Sequence, residues 1–312
     1  MGKIRIVYIP QTKVLEHQKK GLKWGADIMF ENLKKSVSSN FELIPHHSLE
    51  NFPEAEIFHF HNVNSTIPRR QFFGRTIARK YLPQNRKSVI AELVEVNEGT
   101  RITGGIRGWS KIEQKEMLKH FHAIHVGNAR MKEVITHPNV FVCHAGIDRV
   151  LFSPSEEKPD SFSICWAGDS EKEVKNYESL KDLGFNLKTA TRKNYRPHNE
   201  MPNFYRSSCV YVNLSSSEGF CRPMVEAAAC GLPVVSTNTG VAPELLDPHW
   251  IIDEDPKRPG VIKEFQNRIQ ELKEDPEMTW TVGRQNRERT TQFSWSQVAK
   301  QFEDMWYSLV KS

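Results

Sequence analysis

Apolar residues alternate with polar ones in short runs, and amphipathic stretches of helical period separate those runs. Ile4, Ile6 and Tyr8 fall on one face of an opening strand, with Arg5, Val7 and Ile9 on the other. Further strands are expected at residues 41–44, 57–61, 88–93, 123–126 and 140–143, with helices at 23–36, 68–81, 110–120 and 128–135. The alternation restarts after about residue 155. Strands are expected there at 163–167, 186–189, 210–214, 233–236 and 250–252. Helices are expected at 174–183, 201–207, 223–229, 261–273 and 276–290, and a last one at 295–310. Val298, Phe302, Met305, Trp306 and Leu309 recur at helical spacing on that last helix, and the stripe predicts an inward face. Short apolar strands between helices imply parallel sheets covered on both faces. The expected fold class is therefore α/β, with two doubly wound, Rossmann-like domains. The domains are placed at residues 1–155 and 156–294, with 295–312 as a C-terminal helix. Ligands bind at the carboxyl ends of such strands.

The most informative stretch is VYVNLSSSEGFCRPMVEAAACGLPVVSTNTGVAPELL, Val210 to Leu246. It reads as a buried strand, a serine turn, Glu218-Gly219-Phe220, a helix, a Gly-Pro turn and a return strand. Glu218 precedes a helix N-terminus and Glu226 lies eight residues on, inside the helix. Amide N–H groups and the helix dipole at such an end attract an anion, for example a diphosphate. A carboxylate accepts hydrogen bonds from sugar hydroxyls. Together these features describe a pocket for a sugar–diphosphate–ribose molecule. The competing reading is an ordinary strand–helix–strand unit with solvated glutamates. The Gly219 turn, the apolar run from Met224 to Ala229 and the return strand Gly231-Leu232-Pro233-Val234-Val235 favour the pocket.

This stretch resembles the signature of the retaining glycosyltransferases of family 4, E-G-F-G-x-x-x-x-E-A-x-A-x-G-x-P-V-V. It matches at Glu218, Gly219, Phe220, Glu226, Ala227, Ala229, Gly231, Pro233, Val234 and Val235, and departs at Cys221, where the family has Gly. A second segment, NVFVCHAGIDRVLFSP, is similar to the family's N-G-I-D-x-x-x-F-x-P interdomain passage at Gly146, Ile147, Asp148, Phe152 and Pro154. The resemblance implies the GT-B fold, two domains facing across a cleft that holds the reaction centre, and a last helix crossing back to the first domain. It also implies a nucleotide-diphosphate-sugar donor (a UDP- or GDP-sugar), no required metal, and transfer with retention. Glu218 would then bind hydroxyls of the transferred sugar and Glu226 the ribose. Backbone amides around Gly219, Phe220 and Cys221 would contact sugar or phosphate.

The family's V-G-R…K-G segment corresponds to SFSICWAGDSEKEVKN. Lys175 takes the place of the Lys and Asn176 that of the Gly, but Asp169 stands where the family has Arg. A buried diphosphate needs cationic or N–H partners. Lys175 is the expected cation, Lys172 its alternative, and Arg222 the expected substitute for the missing Arg. Arg222 also fits a plain surface arginine. In the first half, His59 and His61 resemble the family's H-x-H strand end; His59 reads as a packed residue and His61 as the catalytic candidate. No His ends the next strand, where Glu92, Glu95 and Glu98 stand, and Glu95 is taken as the group facing the site. Gly21 and Gly25 frame a loop that the resemblance brings near the donor phosphate; a turn with a helix start explains them as well. The Gly104–Gly108 run is not a dinucleotide fingerprint, and Asp253-Glu254-Asp255 reads as a solvated acidic turn rather than a metal motif.

Composition narrows the picture further. The chain has 312 residues, enough for two cores. Its apolar content is 38% and its mean hydropathy −0.56, and no run has the length or apolarity of a membrane span. The N-terminus lacks a signal-peptide core, and five cysteines without a C-x-x-C pair indicate reduced thiols, so a cytoplasmic location is expected. The net charge of +5 is uneven. Residues 1–155 carry 23 Lys and Arg against 14 Asp and Glu, and residues 156–312 carry 20 against 24. A basic first half, with the basic aromatic run from Pro68 to Lys87, fits either an anionic partner or a solvated surface. A glycan or lipid-linked glycan is the expected acceptor, with peripheral contact to an anionic inner-membrane face as a further expectation. Two rivals stay open: a glucosyltransferase acting on nucleic acid, and a nucleotide-sugar-binding protein without catalysis.

Overall fold

A computed structural model describes residues 2–9, 25–46, 51–60, 87–93, 96–97, 101–102, 118, 121–157 and 159–311. The helix expected at 68–81 and most of the one expected at 110–120 fall outside these residues. The chain divides into two compact units, residues 1–146 with 295–312, and residues 147–294.

The first unit holds strands β1 (Ile4–Ile9), β2 (Phe41–Pro45), β3 (Ile57–Phe60), β4 (Lys87–Leu93), a short antiparallel pair β5 (Val96–Asn97) and β6 (Arg101–Ile102), then β7 (Ala123–Val126) and β8 (Val140–Val142). The main sheet runs β2-β1-β3-β4-β7-β8 with every pairing parallel. Its described helices are α1 (Gly25–Ser36) and α2 (Ala129–Val134). Asn128 caps α2, its side chain accepting from the Met131 N–H at 2.8 Å. The C-terminal helix, here numbered last as α8 (Trp295–Lys311), belongs to this unit. Its predicted stripe is fully used: Val298, Phe302, Met305, Trp306 and Leu309 are buried with Ile6, Leu33, Phe41 and Ile57 in one core. The Trp306 indole donates to His59 Nδ1 at 3.2 Å, and His59 also stacks on Phe302 and meets His125 edge-on. His59 is thus a core residue at the end of β3.

The second unit contains β9 (Ile164–Ala167), β10 (Leu187–Ala190), α3 (Met201–Arg206), β11 (Val210–Asn213), α4 (Arg222–Ala229), β12 (Val234–Thr237), α5 (Ala242–Leu245), β13 (Ile251–Ile252), α6 (Val261–Glu274) and α7 (Pro276–Arg289). Its sheet runs β10-β9-β11-β12-β13, again all parallel. The strand order reverses at β9, so β9 and β11 form the topological switch point, beyond whose carboxyl ends sheets of this kind bind ligands. The run from Met224 to Ala229 is buried throughout, which the small side chains of Ala227, Ala228 and Ala229 permit.

Residues 147–153 belong to this unit. Ile147 bridges Ser294 and donates to the Phe293 carbonyl at 2.8 Å. The Arg206 guanidinium donates to the Ser153 carbonyl at 2.7 Å, and that of Arg287 to the carbonyls of Phe152 and Arg149 at 2.8 and 3.1 Å. Two arginines therefore satisfy backbone oxygens that no sheet partner reaches.

One predicted helix is not formed. Residues 173–175 and 178–183 are separate 3-10 turns, and Asn176 between them is left-handed (φ 47°). The Asn176 side chain donates to the Leu214 carbonyl at 2.8 Å, and Ser216 N–H donates to the Val174 carbonyl at 2.8 Å. The apolar period of 174–183 is compatible with a helix, but these long-range bonds to the β11 loop win over local propensity.

Candidate functional site

The broken helix puts Lys175 on the loop that follows β9, held against the loop that follows β11. There its ammonium pairs with Glu218 Oε1; Glu218 is buried and Lys175 partly so. The Ser215 hydroxyl lies 2.7 Å from the same oxygen and 2.8 Å from Asn213 Oδ1, sharing one hydrogen between two acceptors. Asn213 in turn donates to Ser236 Oγ at 3.0 Å. Glu218 is thereby held by Lys175 and Ser215, with Asn213 and Ser236 behind Ser215, and its partners give it a strongly preferred orientation.

Cys221 caps the start of α4 in the left-handed region (φ 68°, ψ 64°). The turn needs that conformation to send the chain from Glu218 into the helix, which gives a physical reason for the glycine of the signature. Burial, and next the Glu218 charge, push the Cys221 thiol far above its ordinary range. It is a neutral S–H beside the carboxylate, not a nucleophile. Gly240 (φ 58°) closes the other side of the turn: a Cβ there would stand 2.8 Å from the Phe220 carbonyl oxygen and 3.0 Å from Glu218 Cβ. Arg222 is the first residue of α4, and Pro223 after it has no N–H to offer a ligand. The Met224 N–H turns back to the Cys221 carbonyl at 3.1 Å.

Glu226 lies inside α4 and is buried. Its Oε2 accepts from Tyr205 Oη at 2.9 Å and its Oε1 faces His198 Nε2 at 3.2 Å. Burial, and then the Glu226 charge, hold the Tyr205 hydroxyl well above its usual range, so it stays a donor. Asp169, where the resemblance expects Arg, pairs with Arg192 at 3.2 Å. Asp253 accepts from Asn238 at 2.8 Å and Asp255 caps the Lys257 N–H at 2.9 Å, so both take part in local turn contacts.

Lys175, Glu218, Gly219, Phe220, Cys221, Arg222 and Glu226 therefore all sit on the loop after β9, the β11–α4 turn or α4. Gly25 begins α1, in a different unit. His61 and Glu95 lie outside the described residues. Sequence reasoning did not find Ser215, His198, Tyr205, Gly240 or Arg192. Ser215 had a local signal, a hydroxyl three residues before Glu218. His198 had none, because 28 residues separate it from Glu226.

Two all-parallel sheets, one of them gathering a lysine and two carboxylates at its switch-point edge, make this an α/β protein of the GT-B glycosyltransferase fold class. The family described as Glycosyl transferases group 1 matches residues 122–289, more than half of the chain, and the chain belongs to that family. An uncharacterized glycosyltransferase of Methanocaldococcus jannaschii is 28% identical over 170 residues, 53% of this chain and 46% of that protein. A human phosphatidylinositol N-acetylglucosaminyltransferase polypeptide is 31% identical over 113 residues, 35% of this chain and 22% of that protein. The chain thus spans less than half the length of these curated relatives. Among solved structures, HepE of Anabaena in complex with UDP and glucose superposes with a TM-score of 0.66 at 14% identity, covering 98% of this chain and 100% of that one. Among the described residues, no helix is long and apolar enough to cross a membrane.

Proposed function

We propose that the protein is a retaining glycosyltransferase of family 4 that moves a hexose-type sugar from a UDP- or GDP-sugar to a glycan or lipid-linked glycan. The observation that carries this reading is the partly buried ion pair of Lys175 and Glu218 at the carboxyl edge of β9 and β11. Cleavage of the donor builds negative charge on the departing diphosphate and positive charge on the sugar ring. Lys175, the start of α4 and Arg222 are assigned to the first charge. Glu218, oriented by Lys175 and Ser215, is assigned to the sugar hydroxyls. Glu226 is assigned to the ribose. His61 and Glu95 remain the proposed first-unit groups near the reacting carbon. Charge neutralisation by these groups leaves no step that calls for a metal. UDP in the site of HepE, and the phosphatidylinositol in the name of the human relative, support a UDP-sugar donor and a lipid-linked acceptor. The proposed site of action is the cytoplasm, with peripheral contact at an anionic membrane face.

The test is donor turnover. The protein is incubated with UDP- and GDP-sugars, with and without glycan acceptors, and nucleotide release and anomeric configuration are followed. Glu218→Ala and Lys175→Ala are each expected to lower transfer by roughly 10²-fold, as losses of one preorganised contact do. EDTA is expected to leave the rate unchanged. Near-normal turnover in both variants refutes the site. Tight donor binding with no release under any condition favours a binding protein without catalysis.

A further inference from the structure

We propose that His198 is a positioning residue for the nucleotide ribose, acting through Glu226. The inference rests on the reading that Glu226 takes the ribose hydroxyls. His198 opens a 3-10 turn (residues 198–200) between the end of β10 and α3, on the same sheet edge as the β11–α4 turn. Its ring packs edge-on against Phe152, centroids 5.2 Å apart, which fixes the plane of the imidazole.

The carboxylate of Glu226 only accepts hydrogen bonds, so His198 Nε2 carries the hydrogen in this contact. A carboxylate has about four acceptor positions, two on each oxygen. Tyr205 uses one on Oε2 and His198 one on Oε1. Among the described residues one position per oxygen is left, the arrangement that receives two adjacent hydroxyls of a vicinal diol. With both oxygens anchored, the carboxylate cannot turn about its last bond, and the two remaining positions keep one direction.

The two anchors differ in access. Tyr205 is fully buried, whereas the His198 side chain is 34% exposed. The side from which a ligand reaches Glu226 is therefore the His198 side. Removal of the imidazole frees Oε1 to rotate about the Tyr205 bond, while the fold loses a partly exposed ring and its edge contact with Phe152.

The experiment is a ligand-deletion cycle. UDP and 2′,3′-dideoxy-UDP are titrated calorimetrically into the wild-type protein, His198→Ala, His198→Gln and Glu226→Ala. The wild type is expected to prefer UDP, and Glu226→Ala to erase that preference. His198→Ala is expected to weaken UDP about fivefold, the loss expected for one hydrogen bond, and to leave dideoxy-UDP within about twofold. His198→Gln, whose amide donates from nearly the same place, is expected to recover most of the UDP affinity. Equal weakening of both ligands, or of neither, in His198→Ala overturns the role of His198 while Glu226→Ala still upholds the ribose reading. An undiminished preference in Glu226→Ala overturns that reading and the inference with it.

Discussion

Position 221 offers a test of the turn itself. Cys221 is left-handed at φ 68°, a region that costs a residue with a Cβ about 1–2 kcal/mol. At an ordinary helical or extended position, glycine is about 0.5–1 kcal/mol less stabilising than alanine, because it loses more backbone freedom on folding. Subtracting the second from the first places Cys221→Gly ahead of Cys221→Ala by roughly 0.5–1 kcal/mol. Both variants delete the same buried thiol, so that loss cancels. With a urea m-value of about 2 kcal/mol/M, the glycine variant should unfold about 0.3 M later than the alanine variant at equal m. The measurement is equilibrium urea denaturation of both variants at one pH and 25 °C. An alanine variant as stable as the glycine variant, or more so, shows that residue 221 is not left-handed in solution. The turn that carries Glu218 would then have another shape.

Two further outcomes follow from packing and burial. A Cβ on Gly283 of α7 would stand 2.0 Å from the Gly231 carbonyl oxygen, so Gly283→Ala must push the helix off the turn after α4. The expected loss is about 3 kcal/mol, read as a lowered thermal midpoint, and an unchanged midpoint contradicts the close approach. Burial pushes the thiols of Cys165 and Cys230 up to about 12 and also raises those of Cys143 and Cys221. Unfolded thiols lose their protons near 8.5, so above that value the native state holds more protons and stability falls as pH rises. Each buried thiol should contribute a slope of roughly 1.4 kcal/mol per pH unit between about 9 and 12, and none below about pH 8. Denaturation midpoints at pH 7, 9 and 10 measure this, and a flat profile refutes the burial of the thiols.

The strand pattern was legible because the strands are short apolar runs between polar segments: β1 and β7 fall on the predicted residues, and β9 to β12 within one residue. The stripe on α8 was legible for the same reason, since all five of its apolar positions enter one core. What stayed hidden was set by contacts far apart in the chain. The apolar period of residues 174–183 suits a helix; the bonds of Asn176 to Leu214, 38 residues away, and of Ser216 to Val174 break it. The signature pointed to Glu218 and Glu226, but not to what orients them. Ser215 acts locally, whereas His198 and Tyr205 reach Glu226 across 28 and 21 residues. The cysteine in the glycine position looked like a change of side chain, and is in addition a strained backbone.

Charge around the turn follows the same long-range logic. Lys175 and Glu218 neutralise one another, and Glu226 adds a buried negative charge held by neutral donors and His198. A donor diphosphate would add further negative charge at this edge, where Arg222 is the cation proposed besides Lys175. Asp169, standing where the resemblance expects Arg, would make this worse, but Arg192 at 3.2 Å offsets it. The sugar hydroxyls that Glu218 is proposed to receive can replace Lys175 as its hydrogen-bond donors. An ammonium released in that way would be available to the phosphate, while Glu218 keeps the Ser215 hydroxyl and the sugar hydroxyls as donors, so neither group is left without a hydrogen-bond partner. On the proposed assignment Glu218 keeps the Lys175 cation at the site, and the sugar would relieve the carboxylate of it.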